Sequence, residues 1–426
     1  MRAFVGAGRV ARAAALGCGA GLGLGFHRSA GPPPPAQCLA SSADDGRLTR
    51  LEVHALVERL QAKIVRRLEQ LAAPDGEHSA GKFAPVGWLR DEGRHGGGTR
   101  YEIEGTRLFN RASVNVSSVH YADKPKYPVD SATALSVIIH PSNPYAPSMH
   151  LHVSYMEPRG KAPYWRMIAD LNPAIPDASA TERFDAAMKG AMPAALFADS
   201  QLFGDRYFYI PDLDQHRGTS HVFVCSLSAG DDVGLSVAEC GELGERFAST
   251  ALETYGALVQ EALDTYEEPA LTAVDRAAQL AYHTLYFFQV LTLDRGTTHG
   301  VLAHNQNDVG TLGSLPSFIN RDLLASWGSE KAAAPRDELV TALLETLPPV
   351  AAAEADERSG KVPVTAETRQ ALADVLRKYY RADRSRMANQ ASMDMKWWAE
   401  RATATDSAAV GGAGAAAMWS TGGGWK

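Results

Sequence analysis

The sequence has few cysteines and no surplus of basic residues. Four of its 426 residues are cysteines, at positions 18, 38, 225 and 240, which excludes a disulfide framework and a cysteine-rich zinc site. Lys and Arg number 42 against 49 Asp and Glu, so the formal net charge is −7. A protein that binds nucleic acid mainly through phosphate contacts needs a basic surplus. The composition therefore argues against nucleic-acid binding.

Several common catalytic and binding motifs are also missing. The chain has no GxSxG elbow, CxxC pair, P-loop or GxGxxG, and the run Gly96-Gly97-Gly98 alone is a weak signal. No stretch after the N-terminal region reaches the roughly 20 apolar residues of a membrane-spanning helix. Hydrophobic residues make up 45% of the chain and charged residues 21%. These values are typical of a globular protein with a large core.

The first 43 residues contain arginines but no Asp or Glu. An acid-free, arginine-bearing start rich in Ala, Gly and Ser is typical of an organelle transit peptide. The apolar run at residues 13–26 is too short to span a membrane. We therefore expect residues 1–43 to be a targeting segment, with a mature start between residues 38 and 48. A plain unstructured terminus is the alternative.

The pattern of apolar residues predicts both helices and strands. Helices are expected at residues 51–71, 180–192, 235–263, 335–347 and 365–380. Strands are expected at residues 101–119, 134–140, 149–155, 164–170, 207–210, 222–227 and 285–293. Because the strands cluster in the middle without regular βαβ alternation, the fold class should be α+β with a mostly antiparallel sheet.

A proline-rich turn precedes two histidines on one predicted strand. Residues 140–152 contain three prolines within seven residues and end in His150-Leu151-His152. Side chains alternate along a strand, so His150 and His152 share a face. Such a pair could bind a metal with a third ligand from elsewhere, or handle protons, or be satisfied by loop carbonyls. No HExxH or second metal motif supports the metal option.

Two charged residues stand at the ends of predicted apolar strands. Asp170 closes one strand just before a proline turn, where a carboxylate can be held partly desolvated. It could equally brace the turn. Arg295 follows the predicted strand 285–293, and its guanidinium suits a carboxylate ligand. A surface turn made by Asp294 and Arg295 is the alternative.

Taken in order, several blocks resemble oxygen-dependent coproporphyrinogen III oxidase. The resemblance runs from about Trp88 to Pro316. Its blocks are Gly-Gly-Gly-x-Arg at 96–100, Leu-Phe-Asn-Arg-Ala-Ser-Val-Asn-Val-Ser at 108–117, the His-Pro-x-Asn-Pro frame at 140–150, Asp-Leu-x-Pro at 170–173, Asp-x-Tyr-Phe at 205–208, Arg-Gly at 217–218, Asp-Arg-Gly-Thr at 294–297 and Ser-Leu-Pro at 314–316. So many ordered blocks make a chance match very improbable.

The resemblance implies a large flat antiparallel β-sheet sandwiched between helices, a homodimer and a deep cleft for a tetrapyrrole. The implied reaction converts two propionates of coproporphyrinogen III to vinyl groups, with molecular oxygen as co-substrate and no metal or organic cofactor. By position, His150 matches the family's proton-handling histidine and Asp170 the carboxylate facing the pyrrole nitrogens. The substrate-binding residues implied in the same way are Arg217 and Arg295 for propionates and Asn115 and Ser117 in a cleft-lining block.

The sequence also departs from the family pattern. Arginines of the family are replaced at Ser154, at Leu213 and within residues 306–310, His152 stands for an asparagine, and the glycine-rich loop before Asp170 has lost its glycines. Arg166, Arg206 and Lys189 are candidate replacements for the lost charges. Two hypotheses follow: a working oxidase with a rebuilt propionate clamp, or an inactive member serving as a subunit or assembly partner of an organellar complex. A metal site at His150 and His152 is a weaker third.

The same reasoning divides the chain and suggests its compartment. We expect a targeting segment at 1–43, an oxidase-like domain at 48–328, a helical C-terminal extension at 329–406 and a flexible Gly/Ala tail at 407–426. The leader and the resemblance together favour the mitochondrion, with the intermembrane space as the compartment within it. A plastid is the alternative.

Overall fold

A computed structural model describes residues 48–73, 81–230, 233–267, 270–303, 312–330, 334–350 and 360–391. The expected targeting segment, the Gly/Ala tail and residues 306–310 lie outside these ranges, and the proposed division into domains stays a prediction. Within them, no helix is both long and apolar enough to span a bilayer.

The centre of the fold is a seven-stranded sheet in which every neighbouring pair is antiparallel. In spatial order its strands are β1 (Ala84–Leu89), β2 (Gly96–Glu104), β3 (Phe109–His120), β4 (Val129–Pro141), β5 (Ser148–Pro158), β6 (Tyr164–Asn172) and β9 (Ser220–Leu227). Two short pairs join β7 (Tyr209–Ile210) to β8 (Gln215–His216) and β10 (Phe318–Asn320) to β11 (Lys361–Pro363). The predicted α+β class and antiparallel sheet are confirmed.

One face of the sheet is apolar and carries the main core. Val114, Leu135, Leu151 and Met167 are fully buried on this face, and Val114 and Leu151 have polar neighbours on both sides along their strands. The helices α1 (Arg50–Ala72) and α4 (Val237–Thr265) pack on this face, and α2 (Ala178–Ala191) packs against α4. Capping boxes begin both α1 and α4, which satisfies their first free amides.

Helices also cover the other face. The helix α3 (Ala194–Phe208) packs on β9, while α5 (Ala273–Thr292) and α6 (Arg295–Ala303) lie over the middle of the sheet, where Ile138 packs against them. The predicted sandwich of a sheet between helices is therefore confirmed. Helices α7 (Arg321–Glu330), α8 (Ala334–Thr346) and α9 (Ala366–Ala382) complete a second core with α5, and a 3-10 helix follows at Arg384–Asn389.

One strand prediction is wrong and another is half right. Residues 285–293 were expected as a strand but belong to the end of α5, whose capping box at Thr272 and Asp275 lies well upstream of the apolar run. Because Tyr286, Phe287 and Phe288 are all buried, the run shows no helical period, and a short apolar run alone does not separate strand from buried helix. The predicted strand 207–210 is half right: Tyr207 and Phe208 belong to α3, while Tyr209 and Ile210 form β7.

Candidate active site

A cavity of about 330 Å³ lies between the polar face of the sheet and the helical layer that contains α5. Its floor comes from β3, β4, β5 and β6, and its roof from α3, α5 and the start of α6. Its lining includes Trp88, Arg90, Asn115, Ser117, Ser136, His150, His152, Tyr207, Phe208, Arg217, Tyr286, Asp294, Gly296 and Thr297. Asn115 and Ser117, which the family resemblance implied, are among them.

The cavity floor follows from the alternation of one strand face. The register places Asn115 opposite Ser136, and Ser136 opposite His152. These side chains form a polar row across three strands, while Val114 and Val116 point into the core. At the edge, the Trp88 indole donates to Asn115 Oδ1 at 3.1 Å. A Cβ on Gly98 would lie 1.9 Å from the Val116 carbonyl oxygen, so this position accepts only glycine.

Three predicted site residues form one buried network. The register pairs His150 with Asp170, and 2.8 Å separate His150 Nδ1 from Asp170 Oδ1. The second carboxylate oxygen accepts from Arg217 Nη2 and from Asn172 Nδ2, both at 2.7 Å. Asp170 has no exposed surface. Burial by itself would raise the pKa of this carboxyl, but Arg217, then His150 and Asn172, hold it below its usual value.

Asp170 lies behind the cavity wall, and its implied role towards the pyrrole nitrogens stays a prediction. Asp170 is not among the residues that line the cavity, whereas its partners His150 and Arg217 are. The Arg217 guanidinium carbon lies 4.5 Å from the centre of the Phe208 ring and 5.1 Å from that of Tyr286. Burial would lower the pKa of Arg217, and the Asp170 carboxylate reverses this and raises it. The ionised carboxylate therefore supports the two side chains that reach the cavity.

The second histidine of the pair is held neutral. Burial, followed by repulsion from His150 and Arg166, lowers the pKa of His152 to about 3. The His150 and His152 ring centres lie 6.4 Å apart. Among the described residues, no group of three or more His, Cys, Asp or Glu is placed to hold a metal ion.

Arg295 lies beside the cavity but does not line it. Its Nη2 donates to the Met387 carbonyl at 2.5 Å. The neighbouring Asp294 lines the cavity instead, and its carboxylate accepts from the Tyr207 hydroxyl and Thr297 Oγ1, each at 2.7 Å. Burial and then Asp294 raise the pKa of Tyr207 well above its usual value, so this hydroxyl stays a donor. The implied role of Arg295 in binding propionate stays a prediction.

Sequence reasoning missed Arg90. This residue follows β1, lines the cavity and donates from Nη1 to the Tyr121 hydroxyl. It carries no motif of its own, and only the hairpin of β1 and β2 brings it to the cavity. Of the described lining residues, Arg90 and Arg217 are the arginines, and none is a lysine.

The three suggested replacement cations do not line the cavity. Arg166 donates to the Cys225 carbonyl at 3.3 Å and to the Tyr164 hydroxyl at 3.2 Å. Lys189 is exposed on α2. Arg206 lies in the last turn of α3. Their suggested role as replacements for the lost charges stays a prediction.

The fold and the cavity define a class: an α+β protein with a cavity on the polar face of its antiparallel sheet and a buried His–Asp–Arg network at that cavity. Residues 52–345 match the model of the family described as coproporphyrinogen III oxidase. The chain belongs to this family, whose function lies in porphyrin biosynthesis.

Relatives with the name oxygen-dependent coproporphyrinogen-III oxidase agree with this assignment. One from Prochlorococcus marinus (strain NATL1A) is 31% identical over 204 residues, covering 43% of this chain and 56% of the relative. Another, from Prochlorococcus marinus (strain MIT 9312), is 27% identical over 333 residues, covering 69% of this chain and 91% of the relative. A third, from Synechococcus sp. (strain CC9605), is 28% identical over 330 residues, covering 69% and 86%.

Proposed function

We propose that this protein catalyses the oxygen-dependent oxidative decarboxylation of coproporphyrinogen III to protoporphyrinogen IX. The observation that carries the proposal is the cavity on the polar sheet face, with the network of His150, Asp170 and Arg217 at one end. The membership of the family supports the same substrate class.

The extent of the cavity suits a tetrapyrrole disc. Its lining residues come from β1 at one side to β6 at the other. Five strand spacings separate these strands in the sheet, which corresponds to roughly 24 Å between their backbones. The small side chains of Ser117 and Ser136 leave room over the middle of the sheet for a flat ring system.

The charged groups are placed to hold carboxylates at two separated points. Arg90 enters the cavity from the β1 edge, and Arg217 enters near β6. A guanidinium pairs bidentately with a carboxylate, so each can fix one propionate. The remaining polar contacts would come from the neutral donors of the floor, Asn115, Ser117 and Ser136.

His150 is the group best placed to move a proton. The Asp170 carboxylate beside Nδ1 favours the tautomer with its proton on that nitrogen. Nε2 is then the acceptor available to the cavity. Asp170 acts as a positioning residue, because it orients the histidine and holds Arg217 without lining the cavity itself. This arrangement follows the general logic of a carboxylate that orients a histidine base.

The proposal is tested by turnover of the full chain. Anaerobically prepared coproporphyrinogen III is incubated with the protein in air, and protoporphyrinogen formation is followed by fluorescence after oxidation. We expect turnover by the wild-type chain and a loss of about 100-fold or more in His150→Phe. The control is Arg94→Met, which changes an exposed arginine that does not line the cavity, and this variant should keep full activity. Equal rates in the wild type and in His150→Phe would refute the assigned role of His150.

A second candidate is an inactive member that serves as a subunit or assembly partner. The favouring observation is the low number of cations at the cavity: Arg90 and Arg217 are the arginines of the described lining, and Arg295 is held by a backbone carbonyl outside it. A folded wild-type chain that binds coproporphyrin without turnover, or binds none, would support this candidate against the enzyme.

Assembly and location are part of the proposal. We infer a homodimer from the family, to be checked by light scattering of the purified full chain. We also infer a mitochondrial location, with a plastid as the alternative, from the acid-free leader. Imaging of the tagged protein with organelle markers distinguishes the two.

A further inference from the structure

A short segment near the end of the described chain holds one wall of the cavity. This C-terminal strap, residues 387–391, lies outside the residues 52–345 that match the family. Ala391 makes a parallel bridge to Asp294: its amide donates to the Leu293 carbonyl at 2.8 Å, and its carbonyl accepts from the Arg295 amide at 3.3 Å. The Met387 carbonyl accepts from the Arg295 side chain. The strap therefore fixes the junction between α5 and α6.

Gln390 is the side chain that anchors the strap. It is 1% exposed, and its Nε2 lies 2.8 Å from Thr298 Oγ1 on α6, 2.8 Å from the Tyr380 hydroxyl on α9 and 3.3 Å from the Thr292 carbonyl on α5. One buried amide thus connects three helices at a single point. A buried polar group with several partners is costly to remove, because the partners lose hydrogen bonds that water cannot replace.

The opposite side of the same junction faces the cavity. Asp294, Gly296 and Thr297 all line it. The Asp294 carboxylate accepts from the Gly296 amide at 2.8 Å, from Thr297 Oγ1 and from the Tyr207 hydroxyl on α3. The backbone of Asp294 is held by the strap on one side while its side chain organises the cavity wall on the other.

We propose that the C-terminal strap is a positioning element of the tetrapyrrole cavity, with Gln390 as its key residue. The inference rests on the proposed function for the identity of the ligand, though not for the mechanical link. If the strap positions the cavity wall, ligand binding depends on a segment outside residues 52–345, the region that matches the family. The strap also accounts for the place of Arg295, whose guanidinium it draws to the Met387 carbonyl.

The mechanical link is tested on the unliganded full chain by hydrogen exchange. In Gln390→Ala, the amides of residues 294–298 should exchange at least about tenfold faster, since the junction opens more readily. Amides of β3 to β5 should be unchanged. The matched control is Gln370→Ala on the outer side of α9, where Nε2 lies 3.4 Å from Asp374 Oδ1. Unchanged exchange at 294–298 in folded Gln390→Ala would overturn the proposal whether or not the protein binds a porphyrin.

The link to the ligand is tested by titration with coproporphyrin III, followed by quenching of tryptophan fluorescence. Gln390→Ala should weaken binding by about three- to thirtyfold, and Gln370→Ala should not change it.

The effect of Gln390→Ala on binding should be non-additive with that of Thr297→Val, which removes a hydrogen bond on the cavity side of the junction. Gln390→Glu keeps the size but puts an acceptor where Nε2 donates to the Thr292 carbonyl, so it should restore neither slow exchange nor affinity. Additive effects, or unchanged affinity despite faster exchange, would contradict the role in binding. Failure of the wild type to bind would instead refute the proposed function.

Discussion

The two faces of the central sheet are built from the same strands, but one forms the main core and the other forms the floor of the cavity. On β5, Leu151 faces α1 and α4 in the main core, while its neighbours His150 and His152 face the cavity. The apolar face gains stability from burial and close packing. The polar face holds an ionised carboxylate and a guanidinium out of water, an arrangement that contributes little net stability. Since stability does not account for these polar groups, the contrast agrees with the proposed role of the cavity in binding and proton transfer.

Removal of Asp170 should give the largest effect on the polar face. Asp170→Ala leaves the Arg217 guanidinium buried without its carboxylate, so we expect a loss of about 3–5 kcal/mol in the free energy of unfolding. Urea titration measures this, and activity should vanish with the orientation of His150. Asp199→Ala, an exposed carboxylate on α3, should stay within about 0.5 kcal/mol of the wild type. A small loss in Asp170→Ala would mean that the network is open to water.

On the apolar face, Leu151→Ala should also destabilise the protein. Leu151 has no exposed surface, so the cavity left behind should cost about 2–5 kcal/mol in the free energy of unfolding. The affinity for coproporphyrin III should change little at temperatures where the variant is folded. Weakening of binding as large as that seen in cavity-lining variants would break the distinction between the two faces.

Arg90→Met tests whether a residue at the edge of the polar face contributes to binding without contributing much to stability. The loss of one charged hydrogen-bonding partner should weaken coproporphyrin III binding by about ten- to hundredfold. Stability should change far less than in Asp170→Ala. The matched control is Arg94→Met, an exposed arginine of the same hairpin turn that does not line the cavity. Identical dissociation constants for the two variants would remove Arg90 from the site.

The last prediction is a pH dependence that involves His152. Burial lowers the pKa of this side chain from 6.5 to about 3, so the neutral form is favoured in the folded state. The stabilising contribution is complete above pH 6.5 and is lost as the pH falls from 6.5 towards 3, because the unfolded chain takes up the proton first. His152→Asn should therefore flatten the slope of unfolding free energy against pH in this window. An unchanged slope would mean that His152 is protonated in both states.

Local pattern was enough to predict much of the fold. Residues 101–119 are predicted as strand, and this range contains the end of β2 and most of β3. The pattern fails for α5, which has apolar residues on all sides because it is covered by the sheet and by the C-terminal helices. Helices α1 and α9 bury one face and expose the other, so their apolar residues repeat at helical spacing and predict a helix.

The candidate site likewise contains residues that the sequence predicts and residues that it does not. The strand period puts His150 and His152 on one face, and the family resemblance points to Asp170. The register that pairs His150 with Asp170 comes from the structure alone. Arg90 depends on how the first hairpin folds over the sheet, which no motif records. The orientation of Arg295 depends on Met387, 92 residues away in sequence. Long-range contacts of this kind cannot be predicted from residue spacing.

The most direct test of the central claim is an experimental structure of the full chain with coproporphyrin III. The account predicts a macrocycle between the polar row of β3 to β5 and helix α5, with carboxylates on Arg90 and Arg217 and the His150 ring against the ligand. A porphyrin bound elsewhere, or an empty cavity at saturating ligand, would contradict the assignment of the polar face as the active site.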